Sequence, residues 1–418
     1  MTTIKKIIAS EVLNSRGYGG IETTVILSNE ITASSSPPSG TSKGAYEAHE
    51  IIDIGSKRYN GHGVLKAVEN VNKIIAPILL GIDIGNQQKI DELMIELDAT
   101  KDKSRLGANA ILSVSQAAAK AAAKNSSLPL YLYLKRFIPS NTSKKYPTPL
   151  FVMLAGGKHA DNSMDLQEIL LIPSIAKPFE EKIEIGVNIY HLLEQKLLEL
   201  DLSTLTSIEG GFSPKVSNNI EALELMRKVI NNSGYKLSLD VSLGIDAAST
   251  SFYKEKQYFL KDKKTSYAPD ELTEFYQTLT SDFNIIYLED PFSEDDWSSW
   301  QKGFDRLSKN SLVVGDDLTV TNPNRLKIAI SKNAINGIII KPNQIGTISE
   351  SLDVVKIARS NNLKVIVSHR SAETMDDFIA DFAIGVSADY VKFGAPARER
   401  VIKYNRLLKI KRELDQSR

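Results

Sequence analysis

The sequence predicts an α/β protein in two parts, an N-terminal α+β domain followed by a β/α barrel. Residues 4–36 are rich in β-branched types, and segments with helical spacing follow them. Beyond residue 147, short apolar strands alternate with amphipathic helices, which is typical of a parallel sheet. Periodicity cannot separate a closed barrel from an open sheet. Closure is inferred, and charged residues at several strand ends favour it.

The first domain is predicted to begin with an antiparallel meander, because turn residues at 14–20 interrupt its β-branched run. A polar loop at residues 37–44 comes next. Helical spacing then covers residues 64–71 and 90–97. The alanine-rich segment at 107–124 predicts a closely packed helix, so this domain should be a sheet followed by helices.

A polar linker at residues 139–147 divides the chain, and we predict domains at 1–136 and 137–418. The 418 residues are 42% apolar and 24% charged, as in soluble globular proteins with a sizeable core. The 51 basic and 51 acidic residues cancel, and no basic run is interleaved with aromatics, so neither nucleic acid nor a membrane is expected as a partner.

Features that the sequence lacks limit the compartment and the metal chemistry that we expect. There is no cysteine, which excludes disulfides, thiolate metal sites and cysteine nucleophiles. The first residues lack the pattern of a signal peptide, and no run reaches the roughly 20 apolar residues of a membrane span. We therefore expect a cytoplasmic protein.

Three carboxylates, Asp246, Glu289 and Asp316, end three consecutive predicted strands of the second domain. Because the carboxyl ends of barrel strands meet at one rim, these side chains are expected to lie together. Carboxylate oxygens are the ligands that Mg²⁺ prefers. A single acid at a strand end is more often a helix cap or an ion-pair partner, but the recurrence on three strands favours a magnesium site.

Two lysines, Lys341 and Lys392, also end predicted strands. An isolated strand-end lysine most simply extends to solvent. Beside a metal site, neighbouring cations and burial are expected to lower the pKa of Lys341 and make it a base. Glu168 and Glu209 are further acids. Glycines follow Glu209, so a solvated turn is as good an interpretation as a catalytic role.

An anion site is predicted at Arg370 and Ser371, because a guanidinium beside a hydroxyl can hold phosphate. The alternative is an ordinary strand-to-helix junction with Ser371 as the cap. The loop around Ser39 is either a flexible turn or a mobile lid that excludes water. That loop lacks the lysine spacing of a nucleotide-binding P-loop, so a phosphate cradle is weakly supported there.

Ordered segments along nearly the whole chain resemble the enolase family, and such ordered matches are more specific than any one motif. They are NSRG (14–17), PSGTSKGAYEA (38–48), KSRLGANAIL (103–112), GGKHADN (156–162), EDPF (289–292), GDDLTVTN (315–322) and the segment around Lys341. The resemblance implies an N-terminal α+β domain and an enolase-type, TIM-like β/α barrel with one added antiparallel strand near its start.

The resemblance implies reversible dehydration of 2-phosphoglycerate to phosphoenolpyruvate, a step of glycolysis and gluconeogenesis. Asp246, Glu289 and Asp316 would hold the first of two Mg²⁺ ions, and Ser39 would help place the second. Lys341 would remove the proton at C2. A lysine or histidine base with one or two Mg²⁺ ions is the general arrangement of the enolase superfamily.

Further roles follow from the same resemblance. Lys392 would help the metal ions hold the dianionic carboxylate that forms. Glu209 would act as the acid that releases the C3 hydroxyl as water, with Glu168 and His159 nearby. The remaining predicted substrate contacts are Arg370 and Ser371 on the phosphate, and Gln167 and His369 at other substrate-side positions.

Several positions depart from the family pattern, although none removes a proposed ligand, base or acid. Loss of a carboxylate at Ile208 is expected to lower the pKa of Glu209 and make it a poorer proton donor. The departures are Tyr18-Gly19-Gly20 for Asn-Pro-Thr, Lys43 for threonine, Ile52 for arginine, Met153-Leu154-Ala155 for an asparagine-containing run, Ile208 for aspartate and Ala372 for glycine.

Two alternative functions remain open on the sequence. One is a divergent paralogue that acts on another phosphorylated or phosphonylated carboxylate. The other is an enolase-derived binding protein with weak or no catalysis, which the retained charges oppose because burying them costs folding free energy. The resemblance also implies a homodimer or homo-octamer, with a small phosphorylated carboxylate as substrate.

Overall fold

The structure is a computed structural model that describes residues 1–41, 44–139, 146–160 and 164–416. Three parts of the predictions lie outside these residues: the substitution at Lys43, most of the predicted linker, and Asp161 and Asn162 of the matched GGKHADN segment. The predicted domain boundary at residue 136 stays a prediction.

The chain begins with a three-stranded antiparallel sheet, which confirms the predicted meander. Its strands are β1 (Ile4–Leu13), β2 (Gly19–Leu27) and β3 (Thr32–Ser35), in the order β1-β2-β3. On β2, Ile21 and Val25 are buried while the residues at 22 and 24 are partly exposed. This period of two gives the sheet one face for the core and one for solvent.

Helices cover the buried face of this sheet. They are α1 (Leu65–Asn70), which continues into a π-helical turn (Val71–Ile75), α2 (Ala76–Leu79), α3 (Gln87–Asp98), α4 (Ala108–Asn125) and α5 (Leu130–Lys135), with a short 3₁₀ turn at Arg58–Gly61. The predicted alanine-rich helix is α4, and its alanines are almost fully buried. Small side chains let α4 pack closely on β2 and β3.

The second sheet is mixed and closes into a barrel. Its strands are β4 (Thr148–Pro149), β5 (Phe151–Ala155), β6 (Glu168–Pro173), β7 (Val241–Asp246), β10 (Ile285–Glu289), β11 (Leu312–Gly315), β12 (Gly337–Ile340), β13 (Lys364–Ser368) and β14 (Tyr390–Lys392), while β8 (Tyr253–Lys254) and β9 (Gln257–Tyr258) form a separate hairpin. One residue, Leu150, separates β4 from β5. Because β4 pairs with β14 and β5 pairs with β6, that single stretch joins the two edges of the sheet.

The implied antiparallel strand is β6, which runs antiparallel to both β5 and β7, whereas the other pairs are parallel. The helices around the barrel are α6 (Phe179–Glu199), α7 (Asn219–Asn232), α8 (Pro269–Phe283), α9 (Trp297–Leu307), α10 (Pro323–Ser331), α11 (Pro342–Ile345), α12 (Ile348–Ser360), α13 (Phe378–Gly385) and α14 (Val401–Gln416). Short 3₁₀ turns lie at Gly157–His159, Ser249–Phe252 and Arg398–Arg400. In the described ranges, no helix combines the length and the apolar character that crossing a membrane requires.

Barrel strands bury both of their faces, which explains why their sequences are continuous apolar runs. On β6, Leu170 and Ile172 belong to a cluster inside the barrel, whereas Ile169 and Leu171 pack outward against the helices. The inner cluster fills the barrel with apolar side chains. Charged residues are therefore confined to the ends of the strands, where the chain leaves the core.

Helix α6 packs against the barrel through a glycine, and this close approach generates a prediction. A Cβ on Gly186 would lie 2.3 Å from Cε2 of Phe151 in β5. We expect Gly186→Ala to lower the free energy of unfolding by about 1–3 kcal/mol through overpacking, despite the better helix propensity of alanine. Denaturant unfolding measures this, with Glu184→Ala on the exposed face of α6 as the control. A Gly186→Ala protein as stable as the wild type would contradict the packing.

Candidate active site

The predicted strand-end charges come together at one rim of the barrel. Asp246 and Glu289 are the last residues of β7 and β10, Asp316 follows β11 directly, and Lys341 follows β12. These four strands are neighbours and parallel, so their carboxyl ends meet. A cavity of about 110 Å³ opens there, which we call the rim cavity. The predicted residues that line it are His159, Gln167, Glu168, Glu209, Asp246, Asp316, Lys341, His369, Arg370, Ser371 and Lys392.

Lys392 is the centre of the charged cluster beside this cavity. Its Nζ atom lies 2.8 Å from Oε2 of Glu168, 2.7 Å from Oδ2 of Asp246 and 2.9 Å from Oε1 of Glu289. All four side chains are at most 4% exposed. Burial alone would lower the pKa of Lys392, but the three carboxylates raise it well above its ordinary value. Tyr287 donates to the second oxygen of Glu289 at 2.6 Å, so that carboxylate is held at both ends.

Lys341 forms an ion pair with Asp316, and this corrects one expectation. Burial opposes the charge of Lys341, but the adjacent Asp316 carboxylate outweighs burial and raises the pKa. The expected lowering of that pKa is therefore wrong for this structure, because the nearest charge is an anion and not a cation. Gln344 donates from Nε2 to Oδ1 of Asp316 at 2.9 Å and orients the carboxylate toward Lys341.

The donor set of the cluster fits a hard divalent cation. Burial raises the pKa of Asp246 above its ordinary value and that of Glu289 well above it. Two lysines face four carboxylates here, Glu168 being the fourth, so the cluster carries surplus buried negative charge that Mg²⁺ would offset. The oxygens of Asp246, Glu289 and Asp316 do not converge on one point. The ammonium groups of the lysines lie beside these oxygens instead. The role of the three carboxylates as metal ligands stays a prediction.

Two compact groups of possible ligand atoms occur in the parts of the chain that the structure describes. One is His159, Glu168 and Glu209, and the other is Asp290, Asp316 and Asp317. Sequence reasoning missed Asp290 and Asp317, although the doublets Glu-Asp and Asp-Asp were visible. Both oxygens of Asp290 accept backbone N–H groups, from Asp316 at 3.0 Å and Asp317 at 2.7 Å. Asp290 therefore fixes the turn that carries Asp316.

A second charged group surrounds Glu209. The Nδ1 atom of His159 lies 3.4 Å from Oε1 of Glu168 and 3.7 Å from Oε2 of Glu209. Nε2 of His369 lies 3.3 Å from the same Glu209 oxygen. Burial would lower the pKa of His159, but Glu209 and Glu168 raise it to about 9. His159 is thus a cation held between two acids.

The pKa of Glu209 is low, as expected, and the contribution of Ile208 to it stays a prediction. Burial would raise it, and the charge of His159, a hydrogen bond with Glu168 and the charges of Arg400 and Lys392 together lower it to about 2. These cations account for the lowering. The loss of a carboxylate at position 208 is not needed to explain it. Glu209 in this state is ionised at neutral pH.

Arg370 meets an acid from the N-terminal part of the chain. Its Nη1 atom lies 2.8 Å from Oε2 of Glu47, and its Nη2 atom donates to Oε1 at 3.2 Å. Burial opposes the charge of Arg370, but Glu47 raises its pKa. Ser371 accepts the N–H of Thr41 at 2.9 Å. The alternative role of Ser371 as a helix cap is wrong, because the next helix begins at Phe378.

Ser39 does not line the rim cavity. Its hydroxyl donates to Glu50, and its backbone exchanges two hydrogen bonds with Ala372, at 2.9 and 3.0 Å. The loop therefore rests on the rim, and the hydrogen bond of the Ser39 hydroxyl goes to Glu50 and not to Asp246, Glu289 or Asp316. Its role as a metal ligand stays a prediction. Gln167 does reach the cluster, since its Nε2 donates to Oδ2 of Asp246 at 3.3 Å.

A closed barrel whose strand ends gather buried carboxylates, lysines and an arginine has the arrangement that active sites of barrel enzymes share. The comparisons agree in detail. The family model described as "Enolase, N-terminal domain" matches residues 4–134, and "Enolase, C-terminal TIM barrel domain" matches residues 143–418. The chain belongs to the enolase family.

Two curated relatives show how far the likeness extends. The enolase of Ehrlichia canis (strain Jake) is 43% identical over 414 residues, which are 99% of this chain and 97% of the relative. The enolase of a Nitratiruptor species is 45% identical over 415 residues, which are again 99% of this chain and 97% of the relative.

The charge of His159 predicts a pH dependence of stability. Its pKa is about 9 in the folded protein and about 6.5 unfolded. The stabilisation is therefore complete below pH 6.5 and lost as pH rises through 9. We expect about 3 kcal/mol of unfolding free energy to be lost over that window. His159→Gln should remove this slope in denaturant titrations, while exposed His191→Gln should keep it. A slope shared by wild type and His159→Gln would contradict the assignment.

Proposed function

We propose that the protein catalyses the reversible, Mg²⁺-dependent dehydration of 2-phosphoglycerate to phosphoenolpyruvate. Membership of the enolase family supports the reaction. The observation that carries the proposal is the separation of two charged groups across the barrel. Lys341 follows β12, whereas the segment that carries Glu209 is bonded through Phe212 to β5, the strand at the end of the sheet order, and both side chains line the rim cavity. A base and an acid on opposite sides of a substrate suit the removal of a proton and a hydroxyl from adjacent carbons.

Lys341 would remove the proton at C2 of the substrate, and it must first lose its own proton. In this structure Asp316 holds Lys341 in the charged form. Asp246, Glu289 and Asp316 would hold one Mg²⁺, and a carboxylate engaged with a cation attracts a neighbouring ammonium less strongly. The positive charge of Mg²⁺ bound there would stabilise the dianionic carboxylate that proton loss creates, and the resemblance implies two such ions. Lys392 adds a fixed cation on the same side of the cavity.

Loss of the C3 hydroxyl falls to the group around Glu209. Departure as water requires a proton, and an ionised Glu209 has none to give. The charged His159 lies within 4 Å of both Glu209 and Glu168 and is the proton source, because burial lowers the pKa of the other neighbouring histidine, His369, well below its ordinary value. We infer that a proton passes from His159 to Glu209 as the hydroxyl leaves. Glu168 then keeps His159 oriented between the two acids.

The phosphate would be held by Arg370 and Ser371. Arg370 already binds the Glu47 carboxylate through both terminal nitrogens, which is the geometry that it would offer to phosphate oxygens. The rim cavity is small and polar, which suits a three-carbon phosphorylated acid. Gln167 and His369 complete the substrate side.

Family membership also supports a homodimer or homo-octamer, and a glycolytic role supports a cytoplasmic location.

A second candidate is a paralogue with a shifted phosphorylated or phosphonylated substrate. One observation favours keeping it open: several departures from the family pattern line a single cavity of about 200 Å³ behind the Ser39 loop. These are Tyr18, Gly19, Gly20, Ile52 and Ala372. They adjoin the loop and not the acid or the base, so a shift would alter the phosphate end of the substrate. Weak or absent turnover with 2-phosphoglycerate and rapid turnover with a phosphonylated analogue would favour this candidate.

Removal of the base tests the proposed reaction. Lys341→Ala should lower phosphoenolpyruvate formation by about 10³-fold or more, because proton abstraction then lacks a base. Ultraviolet absorbance follows the product with Mg²⁺ and again with excess chelator, which should stop wild-type turnover. The control is Lys327→Ala, an exposed lysine of α10, which should behave as wild type. A metal-independent wild type or an active Lys341→Ala protein would contradict the proposal.

The predicted second ion generates a separate test on the lid loop. If Ser39 helps to place that ion, Ser39→Ala should raise the Mg²⁺ concentration for half-maximal activity by about tenfold. Ser42, three residues further on and outside the described residues, offers the matched comparison. The Ser39 hydroxyl is already bonded to Glu50. If the Mg²⁺ concentration for half-maximal activity rises with Ser42→Ala but not with Ser39→Ala, Ser42 and not Ser39 places the second ion.

A further inference from the structure

A buried arginine, Arg400, joins two segments of the site that are far apart in sequence. It ends the 3₁₀ turn between β14 and α14, and its side chain is 0% exposed. Its Nη1 atom donates to the carbonyl oxygen of Arg370 at 2.6 Å. Its Nη2 atom donates to the carbonyl oxygens of Ser371 at 2.7 Å and Ile208 at 2.9 Å. No sequence pattern singled out this residue.

The two segments that Arg400 joins carry different parts of the proposed chemistry. We call residues 206–211 the acid loop, because Glu209 lies in it, and residues 369–373 the anion loop. Both run outside helices and strands. Such segments depend on side-chain donors to satisfy and fix their carbonyl groups. The planar fork of an arginine can bond several carbonyl oxygens at once, which a lysine cannot do with the same geometry.

Other contacts hold the acid loop beside those of Arg400. Ala395 donates its N–H to the carbonyl oxygen of Glu209 at 3.0 Å, and Tyr190 donates its hydroxyl to that of Gly210 at 2.8 Å. A Cβ on Gly394 would lie 2.7 Å from the Glu209 carbonyl oxygen and 3.1 Å from Cγ of Arg400. The chain leaving β14 is thus packed between the loop and the arginine.

Arg400 reaches position 208 through the backbone. The carbonyl oxygen of Ile208 is the acceptor, so the bond does not depend on the side chain at that position. An isoleucine in place of the usual aspartate is therefore compatible with the same attachment of the acid loop.

The base lies outside this arrangement. Lys341 follows β12, pairs with Asp316, and receives support from Thr321, whose hydroxyl accepts the Lys341 N–H at 2.9 Å. Neither partner is bonded to Arg400 among the described contacts. Displacing the acid loop would therefore leave the ion pair of Lys341 with Asp316 in place, whereas a shift of the anion loop would reach the base through Arg370, which donates to Oδ1 of Asn343 at 3.2 Å.

We propose that Arg400 is a positioning residue that locks the acid loop to the anion loop, and that its loss impairs hydroxyl departure more than proton removal. The inference rests on the proposed dehydration of 2-phosphoglycerate. It assigns Arg400 no contact with substrate. A misplacement of about 1 Å in a reacting group can cost about 10²-fold in rate, which sets the expected size of the effect.

The test separates the two halves of the reaction. 2-Phosphoglycerate is incubated with Mg²⁺ and enzyme in D₂O, and two rates are measured: exchange of the C2 proton by NMR and formation of phosphoenolpyruvate by absorbance. Arg400→Met should slow product formation by about 10²-fold while exchange stays within about threefold of wild type. Arg400→Lys keeps the charge without the fork and should show the same imbalance, to a smaller extent.

Controls distinguish positioning from general destabilisation. Arg406→Met removes another arginine of α14, which pairs with Asp381 at 2.6 Å far from both loops, and it should leave the ratio of the two rates unchanged. Thermal unfolding shows which variants fold. If Arg400→Met does not fold, the two rates are compared between wild type and Arg400→Lys. An equal fall in both rates, or no fall, would overturn the inference alone. A wild type that neither exchanges nor dehydrates would overturn the proposed function and the inference with it.

Discussion

The contact between Lys392 and three buried carboxylates is the constraint on which the site depends. Uncompensated, each buried ion costs several kcal/mol, and Lys392 offsets that cost where Glu168, Asp246 and Glu289 share one rim. The barrel supplies this arrangement, because β6, β7, β10 and β14 deliver their ends to the same rim. The charges that compensate one another in the folded protein are therefore the same ones that the proposed reaction would use.

The site contains two groups of charges: carboxylates are in excess near Lys341, and cations are in excess near Glu209. Near Lys341, carboxylates exceed cations, and the surplus negative charge both keeps the lysine protonated and suits a divalent ion. Near Glu209, cations surround the acid and keep it ionised. The proposed base is therefore protonated and the proposed acid is ionised. Cation and substrate binding would have to reverse both, which couples chemistry to binding.

Local patterns predicted the elements, whereas contacts between distant segments escaped prediction. The meander, α4 and the strand-end charges follow from periodicity, alanine content and the apolar runs before each charge. Barrel closure depends on β4 pairing with β14 across most of the chain. The Glu47–Arg370 pair and the arginine fork at Arg400 likewise join residues that no spacing relates. The pKa of Lys341 was misjudged because its direction depends on which charge lies nearest, and only coordinates identify Asp316.

Diffraction from crystals soaked with Mn²⁺, an oxygen-preferring stand-in for Mg²⁺ with an anomalous signal, tests the central claim most directly. The account predicts an anomalous peak bound by Asp246, Glu289 and Asp316, with the Nζ atom of Lys341 no longer paired with Asp316. A peak held by Asp290 and Asp317, or by His159 and Glu209, with the three predicted carboxylates free of metal, would contradict it.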